Sequence, residues 1–205
     1  RVHSPNYYAM FGIQTADGQH NNELKTYERF RGQNSANFRH GWLDFQTGQF
    51  NPAGMQKNNF LKVAGVKYIL LPAGDGRIEL VENFGALDRA FIAHHYVVAK
   101  EDSETVALMQ DPSFDASSTI ILNEEPAFSP AEPDSTFPSR VENLTYRPQG
   151  VEIEVSLGAP GIMALSDNWV PYWRAEIDGK PAPIHRAYGS FMAVAVPEGK
   201  HRVNF

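Results

Sequence analysis

The residues best suited to bind or react with a ligand lie in the stretch SDNWVPYWRAEIDGKP, residues 166–181, which holds two of the chain's three tryptophans. Trp169 and Tyr172 precede the regular part of a predicted strand, in a loop that Pro171 stiffens, so their rings are expected at the surface. Sugars bind to the faces of aromatic rings that have planar polar groups nearby. The stretch therefore predicts either a sugar-binding platform or, as is commoner for large aromatics, core and loop-anchoring residues.

Three polar side chains could complete a sugar site next to these rings, namely Asp167, Asn168 and Arg186. Trp173 is different, because it opens the alternating pattern WRAEID, in which every second residue is apolar. That alternation predicts a strand with Trp173 facing the core. The Asp178-Gly179 pair that follows favours a two-residue hairpin turn.

A second group of aromatic and polar residues lies near the start of the chain. It comprises Tyr7, Tyr8, Gln14, Asp17, His20 and Asn21. Loops of this composition often bind ligands, and Gln14 and His20 are its candidate ligand contacts. An ordered surface loop explains the same residues equally well.

The remaining titratable residues give weak signals for catalysis. His94 and His95 are adjacent, so on a strand their side chains would point to opposite faces and would not share a metal ion. A hydrolase that uses one of them with a nearby acid is a third, less favoured hypothesis. The chain has no HExxH, G-x-S-x-G, P-loop or G-x-G-x-x-G motif, so we predict no catalytic residue, no metal site and no cofactor.

Composition excludes several classes of protein. The formal net charge is −6 without any cluster of Lys and Arg, so nucleic acid is not an expected partner. With no cysteine, disulfides and thiolate chemistry are excluded. The longest apolar runs are far shorter than the roughly 20 residues that a membrane-spanning helix needs. The first residues carry no initiator methionine and the last five resemble a strand interior, so we expect a piece of a longer polypeptide.

The pattern of predicted elements changes along the chain. Residues 1–122 mix helix and strand signals in α+β fashion, including a buried strand at 67–71 and a helix capped by Asp102. Residues 123–140 are rich in Pro, Ser and acids, which predicts a linker. Residues 141–205 show short strands with tight turns, as in VEIEVSL, and predict an antiparallel, jelly-roll-like β-sandwich domain.

Several of these segments together resemble the bacterial membrane protein YfhO family, polytopic proteins of the GT-C glycosyltransferase type. The resemblance is most specific over residues 166–205, with the Ser-Asp, the Pro-aromatic-Trp, the Asp-Gly-Lys and the Val-Pro-x-Gly-x-His turn. It extends to FGIQTADGQHNNELKTYERF, FLKVAGVKYILLP and the segment from LDRAFIAHHY to ILNEEP. Residues 125–140 have no matching motif.

The resemblance implies an extracytoplasmic domain, on the periplasmic or cell-surface face of a bacterial membrane. Such proteins are expected to transfer sugar from a polyprenyl-phosphate donor to a cell-envelope acceptor. Their catalytic acid lies in an early loop that this sequence does not contain, so the fragment is expected to be non-catalytic and to cap its own transmembrane domain or position an acceptor or polyprenyl-linked sugar. The alternative from the residues alone is an exported carbohydrate-binding or adhesion β-sandwich.

Overall fold

A computed structural model of the chain describes residues 15–16, 24–44, 47–72, 76–133 and 137–205. Within these ranges the helices are short and all lie before residue 111. They are α1 (Lys25–Arg31), α2 (Ala36–Arg39), α3 (Pro52–Lys57), α4 (Asn59–Val63) and α5 (Asp102–Gln110), with a 3₁₀ turn at Gln33–Ser35.

The strands begin at residue 68 and become the dominant element after residue 140. They are β1 (Tyr68–Pro72), β2 (Ile78–Glu82), β3 (Ala90–Ala93), β4 (His95–Val98), β5 (Thr119–Leu122), β6 (Arg140–Arg147), β7 (Gly150–Leu157), β8 (Gly161–Asn168), β9 (Ala175–Ile177), β10 (Lys180–Ala182), β11 (His185–Ala187), β12 (Phe191–Val196) and β13 (Gly199–Asn204). The β-rich part of the predicted fold is therefore confirmed.

The strands form three sheets. A five-stranded antiparallel sheet has the order β10-β9-β13-β7-β6, and a six-stranded sheet has the order β3-β8-β12-β11-β5-β4. Strands β1 and β2 form a separate antiparallel hairpin. Only β4 and β5 pair in parallel among the described strands, and helix α5 supplies the crossover connection that a parallel pair requires.

The six-stranded sheet lies between two hydrophobic cores. Along β12 the side chains alternate: Ala193 belongs to the core shared with the helices, whereas Met192 and Val194 belong to the core shared with the five-stranded sheet. Ile153 of β7 and Val203 of β13 complete that second core. Because β12 is covered on both faces, its sequence FMAVAV lacks the polar positions of a half-exposed strand.

The local patterns in the last third of the chain are largely confirmed. In β7, Val151, Ile153 and Val155 are buried and the two glutamates between them are partly exposed. Asp178 and Gly179 have φ of 52° and 75° and join β9 to β10 through the predicted two-residue turn. Both turn residues have positive φ, as required by a two-residue hairpin turn that matches the right-handed twist of its strands.

Two local predictions in the first part need correction. The strand predicted at 67–71 forms as β1, but it is not buried, because alternate residues such as Tyr68 and Leu70 are exposed. The helix predicted to be capped by Asp102 is instead capped at Glu101, and the backbone N–H of Glu101 donates to the Glu104 carboxylate at 3.2 Å. Asp102 is therefore free to pair with arginines.

Strands from both sides of the predicted linker pair with each other. Strand β3 pairs with β8, and β5 meets β11 at Ala187. In the segment between β5 and β6, the N–H of Ala131 donates to the Pro160 carbonyl at 2.9 Å. The division into domains at 123–140 stays a prediction, and the six-stranded sheet spans it.

No helix in the described part of the chain has the length and apolar character needed to cross a membrane.

Candidate functional site

An apolar surface pocket of about 450 Å³ lies where the β8–β9 loop meets the β9–β10 hairpin and the segment before β11. Its lining residues are Trp169, Val170, Pro171, Trp173, Arg174, Ala175, Glu176, Pro181, Ala182, Pro183 and Ile184. The volume is within the range of small-molecule sites, and the lining is mostly aromatic, aliphatic and proline with two charged side chains. This composition suits a ligand that has both an apolar face and polar groups.

The core fixes the position of the tryptophans in this pocket. Trp169 and Trp173 are partly buried and pack on the second core. The backbone N–H of Trp169 donates to the Ser190 carbonyl at 2.7 Å, and that of Trp173 donates to the Val170 carbonyl at 3.2 Å. These bonds fix the backbone of the loop, and the core supports the two rings from one side, which reduces the ordering cost of binding a ligand.

Arg174 further stabilises this loop. Its Nη1 donates to the carbonyl of Pro171 at 3.2 Å and to the carbonyl of Trp173 at 2.9 Å. The Nε and Nη2 atoms have no hydrogen-bond partner among the described residues, and a guanidinium carries five N–H donors. Arg174 and Glu176 are therefore the polar side chains that line this pocket and could contact a hydroxylated ligand.

Tyr172 lies next to the pocket without lining it. Its side chain is the most exposed large hydrophobic residue in the described part of the chain, at 85%. The sequence predicts surface positions for Trp169 and Tyr172. Trp169 is a wall of the pocket, and Tyr172 is a ring at its margin that could close over a bound molecule.

Sequence reasoning missed Trp173 as a pocket residue. The alternating pattern suggested that it faces the core, but β9 begins only at Ala175. Trp173 therefore belongs to the loop, where its ring packs on the core and also lines the pocket. Pro171, which lacks a backbone N–H, was the available signal that the strand starts later.

Arg186 lies outside the pocket lining. Its Nη2 lies 3.2 Å from Oδ1 of Asp102, whose other oxygen is 2.6 Å from Nη1 of Arg29. Asp102 therefore joins helix α1 and strand β11 through the start of helix α5. This contact gives Arg186 a structural role in binding the helices to the six-stranded sheet.

The other predicted polar residues, Asp167 and Asn168, do not line the pocket. The Asp167 carboxylate lies 2.6 Å from the Arg89 guanidinium and accepts a hydrogen bond from the Tyr146 hydroxyl at 3.0 Å. Burial and the nearby Asp167 raise the pKa of Tyr146. Burial acts to lower the pKa of Arg89, but the Asp167 carboxylate and Tyr146 outweigh it and raise that pKa. Asn168 accepts from the Ser190 hydroxyl at 3.1 Å.

Gln14 and His20 lie outside the described residues, so their place relative to the pocket stays a prediction.

The adjacent histidines have separate environments. His94 has Nδ1 3.0 Å from the Pro160 carbonyl and Nε2 2.8 Å from the Ser139 hydroxyl. His95 is exposed and lies 2.6 Å from the Glu132 carboxylate. Neither lines the tryptophan pocket. Among the described residues, no group of three or more His, Asp or Glu side chains could hold a metal ion.

Comparison with known proteins adds no relative, because no family model, no curated protein and no solved structure matches this chain. The resemblance to the YfhO family therefore stays a prediction.

A second surface pocket, of about 520 Å³, lies between the loop before β1, the segment leading into β3 and the edge strand β6. It is more polar, since Lys67, Asp88, Arg89, Glu142 and Asn143 line it. Lys67 and Asp88 form an exposed ion pair at 3.3 Å across it. The two pockets differ in their lining, because aromatic rings line the tryptophan pocket and not the second pocket.

Proposed function

We propose that this chain is a non-catalytic extracytoplasmic domain of a polytopic, GT-C-type membrane glycosyltransferase of the YfhO family, and that it positions a glycan. The parent protein would transfer sugar from a polyprenyl-phosphate donor to a cell-envelope acceptor. The tryptophan pocket is the observation that supports a glycan role, since Trp169 and Trp173 present preorganised aromatic faces beside Arg174 and Glu176. The partner of the domain is its own transmembrane region.

The finer architecture belongs to the same proposal. We infer an N-terminal α+β part and a C-terminal, jelly-roll-like sandwich. The shared core between the five-stranded and six-stranded sheets supports a sandwich, because β7 and β13 contribute Ile153 and Val203, and β8 and β12 contribute Met163 and Val194. Face-to-face packing of two sheets with such an interdigitated core is the arrangement of β-sandwiches.

A glycan array carrying glucose-, galactose- and N-acetylhexosamine-based oligosaccharides tests the pocket. We expect binding by the wild-type chain that Trp169→Ala and Tyr172→Ala reduce while the circular dichroism spectrum is retained. Arg140→Gln, an exposed arginine on β6 away from the pocket, is the matched control and should bind as the wild type does. Unchanged binding by both aromatic variants would contradict the proposed site.

Two further measurements test whether the chain is a non-catalytic part of a polytopic membrane protein. The isolated chain should show no sugar transfer from polyprenyl-phosphate donors, and robust transfer by it would contradict a non-catalytic role. The hydropathy profile of the full-length gene product should show many membrane-spanning helices before Arg1 and at least one after Phe205.

The same pocket favours one alternative of a different class, an exported carbohydrate-binding or adhesion β-sandwich module. The two proposals share the aromatic site and differ in the surrounding protein. A full-length product without membrane-spanning helices, together with array binding that depends on Trp169, would favour the alternative.

A further inference from the structure

The β1–β2 hairpin carries mainly apolar side chains on both of its faces, with Glu79 on the inward face and Glu82 on the outward face. On its inward face, Ile69, Leu71 and Val81 pack against the core shared with the helices. On its outward face lie Tyr68, Leu70, Pro72, Ile78 and Leu80, with Leu70 directly opposite Leu80, Pro72 opposite Ile78, and the exposed Glu82 opposite Tyr68. These side chains of the outward face are exposed, at 57% for Tyr68, 45% for Leu70, 46% for Ile78 and 64% for Leu80.

This outward face departs from the usual pattern of an antiparallel hairpin. Antiparallel strands with one solvated face normally alternate apolar and polar residues. Scattered exposed hydrophobic residues are common, but contiguous ones mark interaction surfaces. Here four large exposed side chains are contiguous, which indicates that another apolar phase covers them.

The size of the face argues against a second copy of the chain as its partner. Four half-exposed side chains of this kind amount to roughly 400 Å². A symmetric dimer built on this face alone would bury about 800 Å² in total, less than the roughly 1,200 Å² of a stable interface. A bilayer has no such minimum area, because each apolar side chain that enters it contributes independently.

The charges around the face are of both signs, so apolar burial and not charge is what would hold it on a bilayer. Lys67 immediately precedes Tyr68, and Arg77 immediately precedes Ile78, so the antiparallel pairing puts one cation at each end of the face, and Glu82 lies on the face beside Tyr68. A long cationic side chain such as that of Lys67 can extend to a phosphate group while neighbouring apolar residues enter the bilayer. Both side chains of the Lys67–Asp88 ion pair are exposed. Exposed ion pairs contribute little to stability, so Lys67 can exchange Asp88 for another anion.

We propose that the outward face of the β1–β2 hairpin docks on a lipid bilayer, with Tyr68, Leu70, Ile78 and Leu80 entering the boundary between head groups and acyl chains. Tyr68 suits that boundary, because tyrosine combines an apolar ring with a polar hydroxyl. The inference rests on the proposed function, since it gives the extracytoplasmic domain a defined orientation on the membrane from which its parent emerges.

Co-sedimentation with vesicles tests this inference on the chain itself. The probes are vesicles of phosphatidylcholine and vesicles in which a quarter of the lipid is phosphatidylglycerol. We expect the wild-type chain to bind, and the double variant L70S/L80S to lower the bound-to-free ratio about tenfold or more. Binding should persist at about 0.5 M salt, because that concentration screens exposed charges and leaves apolar burial intact.

The matched control is Phe137→Ser, which removes a residue of comparable exposure (46%) whose backbone lies beside Gly158 at the end of β7. It should change vesicle binding less than about twofold, and both variants should keep the wild-type Tm. The inference is overturned if the wild type binds neither vesicle, if L70S/L80S binds like the wild type, if salt abolishes binding, or if the wild type forms a dimer that L70S/L80S dissociates. Failure here would leave glycan binding by the tryptophan pocket unchanged, so the two proposals can be judged separately.

Discussion

The tryptophan pocket and the outward face of the β1–β2 hairpin both expose apolar side chains, but the structure supports them differently. Trp169 and Trp173 pack on the second core, and backbone and arginine hydrogen bonds fix their loop. Leu70 and Leu80 stand on a two-stranded sheet that belongs to neither larger sheet. A fixed aromatic pocket suits a small, specific ligand, whereas an exposed, mostly aliphatic strip suits an extended apolar phase.

The comparison predicts that aromatic residues of the pocket differ in their contribution to stability. Trp173→Ala removes a ring that packs on the second core, so we expect a loss of about 2 kcal/mol in the free energy of unfolding, less than for a fully buried tryptophan. Tyr172→Ala removes an exposed ring and should cost less than about 0.5 kcal/mol. Urea unfolding measures both, and equal losses would contradict the placement of the two rings.

Arg174 should both stabilise the β8–β9 loop and contribute to glycan binding. Arg174→Gln removes two hydrogen bonds to the carbonyls of Pro171 and Trp173, with an expected cost of about 1 kcal/mol in the free energy of unfolding. It should also weaken glycan binding, because the guanidinium lines the pocket. Arg140→Gln is the control for the loss of a surface arginine. Wild-type stability and glycan affinity in Arg174→Gln would contradict a role of Arg174 in this site.

Acid should loosen the hairpin that carries the rim of the pocket. The Arg202 N–H donates to Asp178 Oδ1 at 2.9 Å and His201 Nδ1 lies 2.6 Å from Oδ2, and together they lower the pKa of Asp178. A lowered folded-state pKa gives stability that is complete above the ordinary value of about 3.9 and is lost as the pH falls through the folded-state pKa. We therefore expect Tm to fall as the pH is lowered below about 4, and to fall less in Asp178→Asn. A steeper fall in the variant would contradict this.

The smallest effect on stability is expected at the hairpin. Leu80→Ser changes a residue that is 64% exposed, so the free energy of unfolding should change by less than about 0.5 kcal/mol. Thermal unfolding of this variant beside Trp173→Ala gives the contrast directly. A loss of about 2 kcal/mol in Leu80→Ser would mean that this face is part of a core, and that its exposure does not reflect the folded chain.

Local features of the sequence predicted the local features of the fold. The alternation in VEIEVSL predicts the buried face of β7, and Asp178-Gly179 predicts the turn between β9 and β10, because both depend on neighbours along the chain. The same local reasoning predicted a buried strand at 67–71. It was wrong because burial depends on what packs against each face, and only one face of β1 meets a core.

The candidate site was predicted in part for the same reason. Trp169 was predicted to lie at the surface, and its side chain lines the pocket. Arg186 pairs with Asp102, which is distant in sequence, and no periodicity along the chain indicates such a contact. Trp173 and Arg174 were missed as pocket residues because the start of β9 was predicted too early.

Tryptophan fluorescence provides the most direct measurement of glycan binding at this pocket. Trp42 is buried in the other core, so a Trp42→Phe variant leaves Trp169 and Trp173 as the only tryptophans in the chain. Titration of this variant with the oligosaccharides that bind on the array should shift or quench its emission with a saturable dependence on concentration. Saturable glycan binding measured by calorimetry, with the emission of both tryptophans unchanged, would contradict a sugar site at this pocket.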